Sequence, residues 1–417
     1  MLDSHQIDSY FENSQLRKDI SDKRAHSSRW ARLIKIGGPC IAAAIFGLMV
    51  VMPNIKKSID IKDNVTMPKI NEMEKLHMEE TVFSTTDSKN RISRIVADSV
   101  DELEPGSSKV KILNPHGTIP TDNGEMVIVA DVGYFDQKAT ILDLEHDINA
   151  VIEEKTTIST ERATYDFKSE YGYGNAPIFA SGEWGKAQAQ SFNYDKKNNE
   201  LMLNGNTEIT TKEWILTSDK VTRYYQNENK AISEGNVKIT QGQNVLKTDK
   251  LISYFSKGGH KELLRAEAYG NVEIHTPNEK AYGTSGIYDL TQNRLELNSK
   301  AKVIQGDNLL TADKIIVYFY PGVKREINYI EALGHVTVTT PKGSAQGNKG
   351  VYKPQEDIVE LLDDVIIRQD NNFIRGGRAE TNLKTSISRI TGRQKGERIS
   401  GIFYSKGKKT DGNKTKK

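Results

Sequence analysis

Residues 268–274 read Ala268-Tyr269-Gly270-Asn271-Val272-Glu273-Ile274. A glycine and a polar residue lead into an apolar–polar–apolar alternation. The pattern returns as Gly205-Asn206-Thr207-Glu208-Ile209, Gly235-Asn236-Val237-Lys238-Ile239 and Gly334-His335-Val336-Thr337-Val338. Gly205, Gly270 and Gly334 recur about every 65 residues, and Gly235 follows Gly205 by about 30. Alternation at period two marks a half-buried strand. Its return at a fixed spacing marks a stacked β architecture whose units share one core.

A second motif lies between these. It reads Thr217-Ser218-Asp219-Lys220, Thr248-Asp249-Lys250 and Thr311-Ala312-Asp313-Lys314, each followed by a strand carrying Tyr224, Tyr254 or Tyr318. A sister form runs from Ala281-Tyr282-Gly283-Thr284 to Tyr288-Asp289, and from Ala345-Gln346-Gly347-Asn348 to Tyr352. On this reading each 65-residue unit holds four or more short strands. The recurrent Asp219, Asp249 and Asp313 are expected to serve turns or strand starts through side-chain hydrogen bonds to the backbone. Toward the N-terminus the period-two rhythm continues through Met126-Val127-Ile128-Val129-Ala130, Thr140-Ile141-Leu142-Asp143-Leu144 and Glu200-Leu201-Met202-Leu203.

The 417-residue chain carries 58 basic and 56 acidic residues, so its charge offers no argument for nucleic acid. Its single cysteine, Cys40, excludes an intrachain disulfide and a cysteine zinc site. Residues 36–52 read IGGPCIAAAIFGLMVVM without a charge, and with Leu33, Ile34 and a snorkelling Lys35 they reach bilayer length. No small-x-small cleavage site follows, so a membrane span is expected rather than a signal peptide. Lys23, Arg24, Arg29, Arg32 and Lys35 precede it, while Lys56, Lys57 and Lys62 follow. That bias places the N-terminus in the cytoplasm and the rest of the chain beyond the membrane.

The eight histidines show no metal spacing, and neither Gly-x-Ser-x-Gly nor a P-loop occurs, so no catalytic residue, metal or cofactor is expected. What the strands offer is an inward apolar parity. In the second half it comprises Val237, Ile239, Val272, Ile274, Leu295, Leu297, Val303, Ile315, Val317, Phe319, Val336 and Val338. In the first half it comprises Ile128, Leu142, Leu144, Leu201 and Leu203. Such a set either fills a core or lines a slot for a lipid chain, and periodicity does not separate the two. Open strand edges would in addition accept another chain by β-augmentation.

Residues 214–393 resemble the LptA family of lipopolysaccharide export and the wider OstA-like group. The resemblance rests on Glu234 to Gly242, Leu246 to Tyr254, Ala268 to Val272, Ala281-Tyr282-Gly283, Asn293 to Leu297, Gln305-Gly306 and Ala312-Asp313-Lys314. Residues 34–210 resemble the LptC family through the N-terminal span, Asn114-Pro115-His116-Gly117, Asn123-Gly124-Glu125, Ala130 to Tyr134, Thr160 to Asp166, and Ala180 to Tyr194. These likenesses imply an all-β chain: one transmembrane helix, then two tandem twisted β-jelly rolls of OstA-like repeats, or one continuous stack. The expected division is a cytoplasmic tail 1–33, a transmembrane helix 34–53, a spacer 54–80, an LptC-like jelly roll 81–212, an LptA-like jelly roll 213–405 and a basic tail 406–417. They imply a non-enzymatic, inner-membrane-anchored periplasmic component that shelters lipopolysaccharide acyl chains. Its partners would be lipopolysaccharide, the inner-membrane ABC transporter permeases and a further jelly-roll protein joined edge to edge. The competing expectation is a membrane-anchored β-scaffold with a filled core that binds proteins by its strand edges.

Overall fold

The computed structural model describes residues 76–86, 91–120, 124–152, 155–257, 262–322, 326–382, 384–385, 387–392 and 398–402. The expected tail 1–33, helix 34–53, nearly all of the spacer and the basic end 406–417 lie outside these residues. Among the described residues the regular elements are 28 strands, with no helix, so no helix there is long and apolar enough to cross a membrane.

The Gly-Asn repeat is a β-bulge. Gly270 and Asn271 have φ of 77° and 46°, and the pairing register shifts between Tyr269 and Val272. Gly235/Asn236 (88°, 42°) and Gly334/His335 (73°, 46°) share the conformation. Glycine enters this region freely and asparagine tolerates it, which is why this pair recurs. Ala268 and Val272, on either side of the inserted residue, are both buried. Ser299/Lys300 (57°, 57°), Asp363/Asp364 (61°, 55°) and His146/Asp147 (63°, 46°) repeat the device without glycine. From Asn236 through Asn271, Lys300 and His335 to Asp364 the bulges therefore recur about every 30–35 residues, half the spacing of the glycine motif.

Asp249 and Asp313 lie inside the strands Asn244–Phe255 and Asn308–Phe319, not at their starts, which corrects the expected role. Each faces the bulge of a neighbouring strand. Asn271 Nδ2 donates to Asp249 Oδ2 at 2.9 Å, and His335 Nδ1 meets Asp313 Oδ2 at 2.8 Å. Asp219, in a turn, accepts from Asn236 Nδ2 at 2.6 Å. The two sequence motifs are thus the halves of one clasp. A Cβ at Gly270 or Gly334 would strike the aspartate carboxylate, so glycine is demanded by space as well as by φ.

Contacts divide the chain into two units. One holds the residues up to Gly242 with Lys250–Leu264, the other Gln243–Asp249 with Arg265 onward. The boundary expected at 212/213 follows repeat register, a different criterion. In the first unit many strands are split where the bulge would fall. Ile141–Ile152 pairs with both Glu125–Val129 and Val132–Asp136, and Thr156–Asp166 pairs with both Tyr171–Gly174 and Ile178–Gly182. The second unit is an antiparallel meander of strands 11–14 residues long, in place of the expected short ones. Each pairs with the next as far as Asn372–Asn382, which also takes the short strands Ile387–Thr391 and Ser400–Ile402.

Candidate functional site: two apolar inner faces

In the first unit, antiparallel pairing sets inward residues side by side in rungs. One rung runs Ile128–Ala150–Ile158–Ala180–Ala187–Ile209–Leu216–Ile239. A second runs Leu142–Tyr165–Gly172–Tyr194–Leu201–Tyr224–Ala231. Cross-strand neighbours lie close enough for every rung to be a continuous apolar strip. Ile128, Leu142, Leu144, Leu201 and Leu203 are all buried in one cluster that reaches from Ile119 to Leu203. Between the rungs lies a narrow apolar cleft with a cavity volume of about 50 Å³. Ile128, Leu142 and Leu144 line it together with Ile158, Tyr165, Ile178 and Phe192, whereas Leu201 and Leu203 pack behind it. Burial pushes the Tyr165 and Tyr194 phenols far above their usual range, so both stay neutral.

In the second unit one rung is fully buried: Ala268–Gly286–Leu297–Ile315–Ala332–Gly350–Leu361–Ala379. Glycine or alanine alternates with larger side chains along it, so the strip interdigitates. It is flanked by two half-buried rungs. One is Ile274–Ala281–Val303–Leu310–Val338–Ala345–Ile367–Ile374, and the other is Ala266–Tyr288–Leu295–Val317–Ile330–Tyr352–Val359. The expected inward residues sort accordingly. Val272, Leu297, Ile315 and Val336 are buried, as is Val237 in the first unit. Ile274, Leu295, Val303, Val317, Phe319 and Val338 keep part of their surface open, as does Ile239 in the first unit.

The opposite face of the second unit carries ion pairs. Glu296, 4% exposed, lies 3.0 Å from Arg294 and 2.6 Å from Lys314. Lys349 pairs with Glu331 at 2.8 Å, and Arg378 with Glu360 at 3.1 Å. Arg265 reaches Asp289 at 3.2 Å. Burial alone would raise the Asp289 carboxyl, but the Thr291 hydroxyl, the backbone N–H groups of Gln292 and Thr291, and Arg265 outweigh it and hold it below the usual carboxylate range.

Two features escape a reading by hydrophobic period. Buried hydroxyls in the first unit form a chain, Ser218 to Thr222 at 3.0 Å and Thr222 to Ser233 at 3.1 Å. Small polar residues on an inward parity carry no period of their own, so only the recurrent Thr-x-Asp context hinted at them. The partners that fill the half-buried rungs, such as Leu310 and Ile367, were likewise not singled out. Among the described residues no three His, Cys, Asp or Glu side chains are grouped to hold a metal.

Residues 40–212 match the family described as lipopolysaccharide-assembly, LptC-related. Residues 220–320 and 302–387 match the family described as LptA/(LptD N-terminal domain) LPS transport protein. An uncharacterized protein of Rickettsia prowazekii (strain Madrid E), RP506, is 24% identical over 152 residues, covering 36% of this chain and 73% of the relative. A crystal structure of LptH, described as the LptA homologous periplasmic component of the lipopolysaccharide transport device of Pseudomonas aeruginosa, matches at 15% identity and a TM-score of 0.27. That match covers 30% of this chain and 95% of LptH. On the two family matches, the chain joins an LptC-like N-terminal part to an LptA-like C-terminal part, both of lipopolysaccharide assembly and transport families.

Proposed function

We propose that this protein shelters lipopolysaccharide acyl chains on its apolar inner faces and passes them from the inner membrane toward the outer membrane. The observation that carries the reading is the half-buried rung from Ile274 to Ile374, eight apolar residues on eight successive strands with surface still available. An acyl chain laid on it leaves water at about 25 cal/mol per Å². In this reading residues 34–53 anchor the chain in the inner membrane with the N-terminus cytoplasmic. Two tandem jelly rolls, 81–212 and 213–405, lie in the periplasm. The permeases of an ABC transporter load the first, and a further jelly-roll protein takes the lipid by edge-to-edge β-pairing. Joining the two parts in one chain raises the effective concentration for transfer between them.

The filled-scaffold reading draws on the buried rung, where Leu297 and Ile315 are 2–3% exposed and leave no room for a ligand. Site-specific photo-crosslinking in cells separates the two. A photoreactive residue at Ile274, on the open rung, is expected to yield lipopolysaccharide adducts, while one at Leu297 is not. Protein adducts alone at 274 favour the scaffold.

A further inference from the structure

Several buried hydroxyls in the first unit are matched: Ser218, Thr222 and Ser233 bond one another, Thr207 Oγ1 donates to the Leu203 carbonyl, and Thr156 Oγ1 accepts from the Trp184 indole. The hydroxyls of Ser93, Tyr224 and Thr160 are not, and of these three Thr160 alone lines the apolar cleft. Its residue is 8% exposed, and its Oγ1 is sealed from water with no hydrogen-bond partner. It lies on the wall of the apolar cleft, paired across the strands with Ile148 and Ile178, both of which line the same cleft. Valine would fill that place with the same shape and no orphan. A buried hydroxyl left unmatched weakens a fold, so its presence among isoleucines asks for a reason.

We propose that Thr160 is a specificity residue, the hydrogen-bonding partner of an oxygen carried by an acyl chain that enters the cleft. This rests on the lipid-sheltering reading and deepens it. The ligand class is an acyl chain bearing a hydroxyl or carbonyl oxygen along its cleft-bound stretch, preferred over a plain alkyl chain. A threonine hydroxyl both donates and accepts, so it serves either oxygen. A site with a buried polar group rejects the analogue that leaves that group unpaired, which is the asymmetry required for such a preference. Entry of the chain parts the side chains that cover Oγ1, and the chain's oxygen then becomes its hydrogen-bond partner.

The test places a photoreactive residue at Ile158, on the same wall, in the full-length chain. Adduct yields are compared for 3-hydroxytetradecanoate and tetradecanoate. The wild-type Thr160 background is expected to favour the hydroxylated probe about tenfold, the scale of one well-placed hydrogen bond. Thr160→Val is expected to abolish the preference while raising the melting temperature, and Thr160→Ser to keep the preference. An unchanged preference in Thr160→Val, or a lower melting temperature, overturns the proposal and leaves the lipid reading standing. No adduct with either probe in the wild-type background overturns the lipid reading and this proposal with it.

Discussion

At the residue scale the deciding position is the bulge glycine. Gly270 has φ of 77°, and a Cβ there meets the Asp249 carboxylate, whereas Gly242, at φ of 58°, has open space around it. Gly270→Ala is therefore expected to cost on the order of 2–4 kcal/mol, and Gly242→Ala about 1 kcal/mol, the cost of the left-handed backbone alone. Urea unfolding of the two variants checks this, and equal losses would show that the aspartate contact is irrelevant. Lys300 holds the same backbone, at φ of 57°, without the residue type suited to it. Lys300→Asn is expected to stabilise by roughly 0.5 kcal/mol, read as a raised urea midpoint with unchanged slope. These positions explain how the sequence could be read. Glycine and asparagine announce a bulge because they enter the left-handed region most readily. Ser299/Lys300 and Asp363/Asp364 form the same bulge from residues that announce nothing, so the period looked twice its true length.

At the element scale each long strand has two faces under different physical rule. The inner face is held by area. Leu297→Ala, in the fully buried rung, should cost about 2–4 kcal/mol by lost transfer energy and cavity, against about 1 kcal/mol for Val303→Ala on the half-open rung. The outer face is held by charge. Asp289 is kept below the ordinary carboxylate range, so its contribution is present above the unfolded value near pH 4 and is lost as pH falls through the folded value. Asp289→Asn should accordingly be less stable than wild type at pH 7, with the gap narrowing as pH falls below the unfolded value toward the folded one. A gap that is constant across that range would mean Asp289 acts by shape rather than by charge. Inward parity was legible because apolar residues alternate at period two. Which inward rungs close and which stay open was not, since that depends on the glycines and alanines opposite, such as Gly286 and Gly350, and not on the strand's own pattern.

At the scale of the whole molecule, the proposed function has these faces carry lipid. Its edges matter too. Among the described residues, Asn372–Asn382 is covered on its outer side by Ile387–Thr391 and Ser400–Ile402, which pair over five and three residues. Removing residues 383–417 should uncover that edge and produce concentration-dependent oligomers in size-exclusion chromatography, as an open strand edge invites. A strictly monomeric truncation would argue against augmentation there. The all-β class was legible from the repeats, and the joined LptC-like and LptA-like parts from the motifs that resemble those families. Whether the inward faces fill a core or line a groove was not, because the two share one hydrophobic pattern. The most direct measurement compares photoreactive residues at Ile274 and Glu273 in living cells. Ile274 lies on the half-open apolar rung, and Glu273, its neighbour on the other face, is tied to Lys247 at 3.6 Å. The account predicts lipopolysaccharide adducts at 274 and none at 273. Adducts to protein at 273 with no lipid at either position would contradict it.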